Sequence, residues 1–258
     1  MNDHLKVKDA YTAYGEIWSD IYDEYEEAIN TSVENERAVS FLAPFAKNGT
    51  ALELGVGNGQ IALPLSETGV SVHGLDNSET MLASLHAKNS GDMITTHLGD
   101  MAEFDLRTQY DLVYCSRNTF SLLASVDQQI SCFDSVMRSL RPQGHLVMHL
   151  DYPYTSDFSD AGAYGDQRTT VIHIDEQRAM VRFARHDRNQ QLFISQNLWL
   201  TPAGNRTMPL KMRYVYPTEL DLLAKISGLE LLERYGDWQR RPFDNASRQY
   251  ISVFHKIS

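Results

Sequence analysis

The chain reads as an α/β protein. A mostly parallel sheet is led by a helical N-terminal segment and interrupted after its fifth strand by an antiparallel β insertion. Three observations predict this. A tight turn with glycines at alternate positions, Gly55-Val56-Gly57-Asn58-Gly59, follows a short apolar run. From residue 50 onward, short apolar runs alternate with helical patterns, which is the signature of parallel strands joined by right-handed crossovers. Near residue 151 the texture shifts to β-rich runs separated by polar turns, and the chain closes on two strands with no helix between them, which form an antiparallel hairpin.

Residues 8–46 read as helical. Tyr11, Tyr14, Trp18, Tyr22 and Tyr25 recur at spacings of three and four and form one aromatic stripe. That stripe either packs on the core or lines a ligand site. Strands are expected at 50–54, 71–75, 93–98, 110–115 and 144–150, with helices at 59–68, 78–88 and 127–140. Arg141-Pro142-Gln143-Gly144 is a turn that feeds the fifth strand. Residues 152–168 are loop-like. Four β runs follow at 169–174, 179–184, 192–200 and 208–216, separated by turns such as Pro202-Ala203-Gly204-Asn205. Pro217 opens a helix over 218–227 that stops at Gly228. The closing strands lie at about 229–235 and 249–256. Three domains follow: a helical segment over 1–46, a sheet core over 47–151 and 217–258, and a β insertion over 152–216.

The 258 residues suit one embellished α/β domain. Lys plus Arg number 23 against 34 Asp plus Glu, a formal charge of -11. Such a field repels a phosphate backbone, so nucleic acid is not an expected partner. Two cysteines, Cys115 and Cys132, form neither a disulfide framework nor a zinc pattern. The nine histidines match no compact metal motif, and no metal is expected. The one arrangement that would change this brings His149, Asp151 and a histidine of the insertion together. The N-terminal residues contain no long apolar segment, so neither a signal peptide nor a membrane span is expected and a cytoplasmic protein is the default.

Glycines after a strand let the chain turn sharply and remove Cβ atoms that would block a ligand. Asp76, at the end of the next strand, can accept from both hydroxyls of a ribose. Asp76-Asn77-Ser78 can also cap the following helix, and the two roles are compatible if different residues take them. A nicotinamide dehydrogenase is disfavoured, because its G-x-G-x-x-G spacing would need glycine where Gln60 stands. At the C-terminal edge of the fifth strand, where open sheets bind ligands, His149 and Asp151 share one side of the strand. His149 is either a general base or a buried, hydrogen-bonded sheet residue.

Together these pieces resemble the class I S-adenosylmethionine-dependent methyltransferases of the bacterial small-molecule type. The resemblance rests on Glu53-Leu54-Gly55-Val56-Gly57-Asn58-Gly59, Gly74-Leu75-Asp76-Asn77-Ser78 with Met81, Gly99-Asp100-Met101, Tyr110-Asp111-Leu112-Val113 and Leu140-Arg141-Pro142-Gln143-Gly144. It covers about residues 45–150 and the closing hairpin. It implies a Rossmann-like seven-stranded sheet whose last strand is antiparallel, with S-adenosylmethionine as cofactor. It further implies that Glu53, Gly55 and Gly57 lie along the methionine part, Asp76 holds the ribose, and Asn77 and Met81 flank the adenine. Asp100 would accept from the adenine amino group and Met101 would pack on the ring. Ser116, Arg117 and Asn118 would sit beside the sulfonium. The N-terminal helices would act as a lid, with Tyr14 or Tyr22 near the cofactor's carboxylate or methyl group.

What the resemblance implies is methyl transfer to a small molecule, such as an amino sugar or keto acid. The alternative is a non-catalytic, regulatory binder of the cofactor on the same fold. In-line displacement at a sulfonium gains most from alignment and exclusion of water, and it needs a base only if the acceptor must lose a proton. The candidates for catalysis are His149, Asp151 and Tyr14. Arg168, Arg182, Arg213, Arg240 and Arg241 are available for an acidic group on the acceptor. The insertion is either a cover over the site or, through its exposed β edges, a homodimer interface.

Overall fold

A computed structural model describes residues 14–19, 21–28, 32–47, 49–88, 93–153 and 167–256; of Tyr14 and residues 26–28 it describes the backbone alone. Tyr11 lies outside the described residues, and so does the side chain of Tyr14.

The N-terminal region holds three helices rather than one continuous run: α1 Tyr14–Trp18, α2 Tyr22–Ala28 and α3 Ser32–Ala46. Seven strands build the main sheet. They are β1 Thr50–Leu54, β2 Ser71–Asp76, β3 Ile94–Leu98, β4 Tyr110–Cys115, β5 Leu140–Asp151, and, after the insertion, β10 Leu229–Tyr235 and β11 Gln249–Lys256. Their spatial order is β10-β11-β5-β4-β1-β2-β3, parallel except for β11, which runs antiparallel to both β5 and β10. The crossovers are α4 Ala62–Ser66, α5 Glu79–Lys88 and α6 Val126–Ser139, and α7 Pro217–Ile226 leads into the hairpin. The expected mixed sheet is therefore present. The helix expected over 59–68 contracts to five residues. Its first turn is taken up by Gly59, whose φ of +83° belongs to the turn.

Local chemistry sets the helix starts. The side chain of Ser125 accepts from the Gln128 N–H and caps α6. Pro217 fills the first turn of α7, where its missing N–H costs nothing. Ser78 Oγ accepts from the Met81 N–H at 3.2 Å and caps α5.

Period-two alternation divides each strand between two apolar layers. Leu52, Leu54, Val113, Cys115, Leu146, Met148 and Leu150 face one buried layer, with Phe133, Val136, Leu220 and Leu223 from α6 and α7. Ala51, Leu112, Tyr114 and Val147 face the other, with Ala38, Phe41 and Leu42 from α3.

Between β5 and α7 lies a separate antiparallel sheet in the order β6-β7-β8-β9: β6 Gln167–Ile174, β7 Ala179–Asp187, β8 Leu192–Thr201 and β9 Gly204–Arg213. The last strand begins earlier than its hydrophobicity suggests, because Thr201 pairs with Gly204 across a two-residue turn. On one face of this sheet Met180, Trp199 and Met208 are fully buried, and they pack with Trp18, Ile21 and Met81. α1 and the turn into α2 are thus held between α5 and the four-stranded sheet, while α3 packs on the main sheet. The aromatic stripe divides accordingly, with Trp18 edge-on to Tyr25 at 5.3 Å in this layer.

Candidate active site

The glycine turn is pinned to the neighbouring strand. The N–H groups of Gly55 and Val56 both donate to the Leu75 carbonyl, at 2.8 and 3.1 Å. Gly55 has φ +69°, and a Cβ there would stand 2.3 Å from the Thr119 side chain, so glycine is required on two counts. Gly57 has φ +53° and open space where its Cβ would be, which leaves bare backbone facing a cavity.

Asp76 ends β2 beside this turn. Its two carboxylate oxygens accept from the Gly57 N–H at 2.8 Å and the Ser78 N–H at 2.9 Å. Burial raises its carboxyl pKa, and the N–H groups of Ser78, Gly57 and Asn77 oppose that rise. The capping of α5 falls to Ser78, so Asp76 and Ser78 do separate jobs. Asp100 stands exposed after β3, one oxygen accepting from the Ala102 N–H at 2.8 Å.

These groups border a cavity of about 470 Å³. Among the residues expected from the sequence, Tyr22, Gly55, Gly57, Asp76, Asn77, Met81, Asp100, Met101 and Asn118 line it. Arg117, which the resemblance put beside the sulfonium, also lines it, with Thr119 two residues on. Residues that the sequence reading missed line it as well: Gly15, Ser125 and Gln128, and Leu210, Lys211 and Met212 from β9. Nothing local marks β9 as a wall, because its placement depends on the register of a four-stranded sheet.

Glu53 and Ser116 lie behind the cavity wall, both buried. The Glu53 carboxyl accepts from the Tyr114 hydroxyl at 3.0 Å and the Ser116 hydroxyl at 3.2 Å. Complete burial pushes its pKa up to about 8 against those hydrogen bonds.

After β4, Arg117 and Asn118 adopt consecutive left-handed conformations, φ +56° and +63°. Such backbone is costly for residues with a Cβ and persists only where the surroundings impose it. The surroundings are explicit. Asn118 Oδ1 accepts from the Ser121 hydroxyl at 2.9 Å and from the Asp151 N–H at 3.3 Å, and its Nδ2 lies 3.6 Å from the Met212 sulfur. His149 Nδ1 accepts from the Arg117 N–H at 3.1 Å. That fixes the ring proton on Nε2, which donates to Gln249 Oε1 at 2.9 Å. The ring meets Trp238 edge-on at 4.8 Å. With both nitrogens engaged and burial lowering its pKa, His149 braces the loop rather than facing the cavity.

Asp151 ends β5 and is joined through its N–H to Asn118, which lines the cavity. Its side chain reaches solvent, yet crowding by protein raises its carboxyl pKa, opposed by His149 and by Arg182 acting through space. The other arginines expected to be available are mostly engaged. Arg213 is buried, donating to Gln129 at 2.6 Å and pairing with Glu219 at 2.6 Å, and so ties β9 to α6 and α7. Arg240 lies over Phe41, Phe45 and Tyr235, and Arg241 pairs with Asp237. Among the described residues, no group of three or more His, Cys, Asp or Glu could hold a metal, and no helix is long and apolar enough to cross a membrane.

The site therefore offers a bare glycine turn, a carboxylate beside it, a second carboxylate across a cavity, and Met81 and Met101 as apolar walls. That donor set and volume fit a nucleoside carrying a charged tail.

Known proteins agree with this geometry. A family model described as a methyltransferase domain matches residues 51–144. The cypemycin N-terminal methyltransferase of Streptomyces sp is 27% identical over 209 residues, 80% of this chain and 83% of that protein. The CcbJ methyltransferase of Streptomyces caelestis is 33% identical and superposes with a TM-score of 0.87, covering 97% of this chain and all of its own. CalS10 of Micromonospora echinaspora, an amino pentose methyltransferase solved with S-adenosylmethionine, shares the fold at 23% identity and a TM-score of 0.62, over 100% of this chain and 99% of its own.

Proposed function

This chain belongs to the class I S-adenosylmethionine-dependent methyltransferases, and from that premise we propose that it methylates the amine nitrogen of a small natural-product intermediate. When bound, S-adenosylmethionine supplies an electrophilic methyl: the amine lone pair forms the N–C bond, the S–C bond breaks, and S-adenosylhomocysteine leaves with the sulfur electron pair. In our reading Asp76 holds the ribose, Asn77, Met81, Asp100 and Met101 enclose the adenine, and the turn at Gly55 and Gly57 runs along the methionine part. Glu53 and Ser116 support that turn from behind. The N-terminal helices form the lid, with Tyr22 and the Tyr14 position over the cofactor, and the four-stranded sheet covers the acceptor. Together they exclude water and align the reactants.

One observation carries the choice of nitrogen. His149 has both ring nitrogens engaged, which leaves Asp151, of the two acid–base candidates on β5, as the one with a free carboxylate, next to the cavity-lining Asn118. A carboxylate draws in an ammonium and, with its pKa raised, can take the proton that must leave before attack. It is a poor base for a hydroxyl or a carbon acid. Relatives named for an N-terminal amine and an amino pentose support the same reading. The test incubates the protein and S-adenosylmethionine with matched amines, phenols and keto acids, followed by mass spectrometry of the products. We expect transfer to amines only. Transfer to oxygen or carbon with the amines inert would overturn the reading.

A further inference from the structure

Arg182 lies on the inner face of the four-stranded sheet, two residues from the buried Met180 of the lid contact. It is anchored with unusual care. Asn197, fully buried, accepts from Arg182 Nε at 2.8 Å through Oδ1 and donates to the Met208 carbonyl at 3.2 Å through Nδ2. The Asn197 amide thus links the guanidinium of β7 to the backbone of β9. The Phe193 ring lies 5.8 Å from the guanidinium carbon.

The terminal nitrogens of Arg182 have no hydrogen-bond or ion-pair partner among the described residues. Arg141, Arg178, Arg213 and Arg234 each end on a carboxylate. Arg182 does not, although it is half-buried, where unpaired charged donors are costly. Asp151 is a carboxylate that it influences, and the two act through space without forming an ion pair. Strand register puts Arg182 opposite Asn197, and Asn197 opposite Met208, so the guanidinium shares its sheet face with Leu210 and Met212, which line the cavity. Asp151 borders the same cavity through Asn118, a lining residue that accepts from its N–H, so the fork and the carboxylate flank one cavity without closing on each other.

We infer that Arg182 binds a carboxylate on the methyl acceptor while Asp151 receives the acceptor's amine, so that the acceptor is an amino-acid-like molecule carrying both groups. This rests on the amine reading above. A planar fork held at Nε matches a carboxylate in two-point geometry. A phosphate would bring two charges toward Asp151, and a neutral sugar would leave the guanidinium uncompensated. Bound between the two residues, a zwitterion satisfies both.

The experiment uses the whole protein with S-adenosylmethionine, a panel of free L-amino acids each paired with its methyl ester, and a set of amino sugars. We expect at least one free acid to be methylated with kcat/KM about tenfold or more above its ester. Arg182→Gln, which keeps a donor for Asn197, should erase that ratio by raising KM with kcat little changed. Arg182→Lys should restore part of it. Calorimetric titration of the same acid and ester into protein loaded with S-adenosylhomocysteine should show the same preference without turnover. An ester as good as its acid, or a ratio that survives in Arg182→Gln, would overturn the inference. So would methylation of amino sugars with every amino acid inert, an outcome that leaves the amine reading standing. If no amine of any kind accepts the methyl, both fall.

Discussion

Asp76 holds the glycine turn and the start of α5 through two charged hydrogen bonds, at 2.8 and 2.9 Å. Removing its carboxylate leaves those two N–H groups without acceptors and, in the proposed role, takes away the ribose contact. Hydrogen bonds to a charged group contribute roughly 1.5–3 kcal/mol each. Asp76→Ala should therefore weaken S-adenosylhomocysteine binding by about 10- to 100-fold in calorimetry, and an unchanged affinity would sink the assignment. Asp76 was legible in the sequence because its chemistry is local: a strand end, an acid and a glycine turn read together. His149 and Arg213 were not legible in the same way. Their roles depend on Gln249 and on Gln129 and Glu219, partners far along the chain whose placement is decided by tertiary packing.

At the scale of elements, α2 is held from two sides. Asp23 accepts from Asn58 Nδ2 in the glycine turn and from Lys88 Nζ in α5, both at 2.6 Å. Glu24 pairs with Arg178 of the four-stranded sheet at 3.1 Å. The Asp23 side chain is 58% exposed, so its ion pair contributes only about 0.2–1 kcal/mol. The buried side chains of Trp18, Ile21, Met180, Trp199 and Met208 contribute roughly 1.5–3 kcal/mol each. Apolar packing holds α1 and the start of α2, the proposed lid, in place, and the Asp23 contacts add to it. Asp23→Ala should speed dissociation of S-adenosylhomocysteine by about two- to fivefold, followed by stopped-flow tryptophan fluorescence; an unaltered rate would remove Asp23 from the gate. The strands at 50–54 and 110–115 were read to the residue, since those apolar runs stand between clear breaks, whereas β5 and β9 each begin four residues ahead of the expected bound. Helix lengths were read less well. The run over 8–46 breaks into three helices, and periodicity alone carries no signal for where a chain folds back on itself.

Over the whole molecule, buried titratable groups oppose one another. Burial lowers the pKa of His73, His97, His145 and His149. A histidine whose folded pKa lies below its unfolded value of about 6.5 supports the fold above that pH and withdraws support as pH falls through it. Glu53 acts in the other sense. Its folded pKa of about 8 lies above the ordinary 4.5, so folding takes up a proton and stability declines as pH rises between those values. The melting temperature should peak on the mildly acidic side of neutrality, and Glu53→Gln should flatten the alkaline decline while leaving the acid limb intact. Parallel melting curves for wild type and variant would refute the role of Glu53. The parallel sense of the first five strands and the antiparallel close were legible from the alternation of strands and helices. The seat of the four-stranded sheet was not, because the residues that fix it pair across the whole length of the chain.

The apolar layer joining Trp18 and Ile21 to Met180, Trp199 and Met208 has a consequence for how such proteins diversify. The first helices and the four-stranded sheet are remote in sequence but share one apolar layer, so in the proposed roles lid and cover form a single packed unit. A new acceptor specificity cannot be acquired by exchanging the insertion alone, because its apolar face would arrive without the helices that shield it. The unit of inheritance for specificity is the matched pair, and the first helices and the inserted sheet are bound to change together.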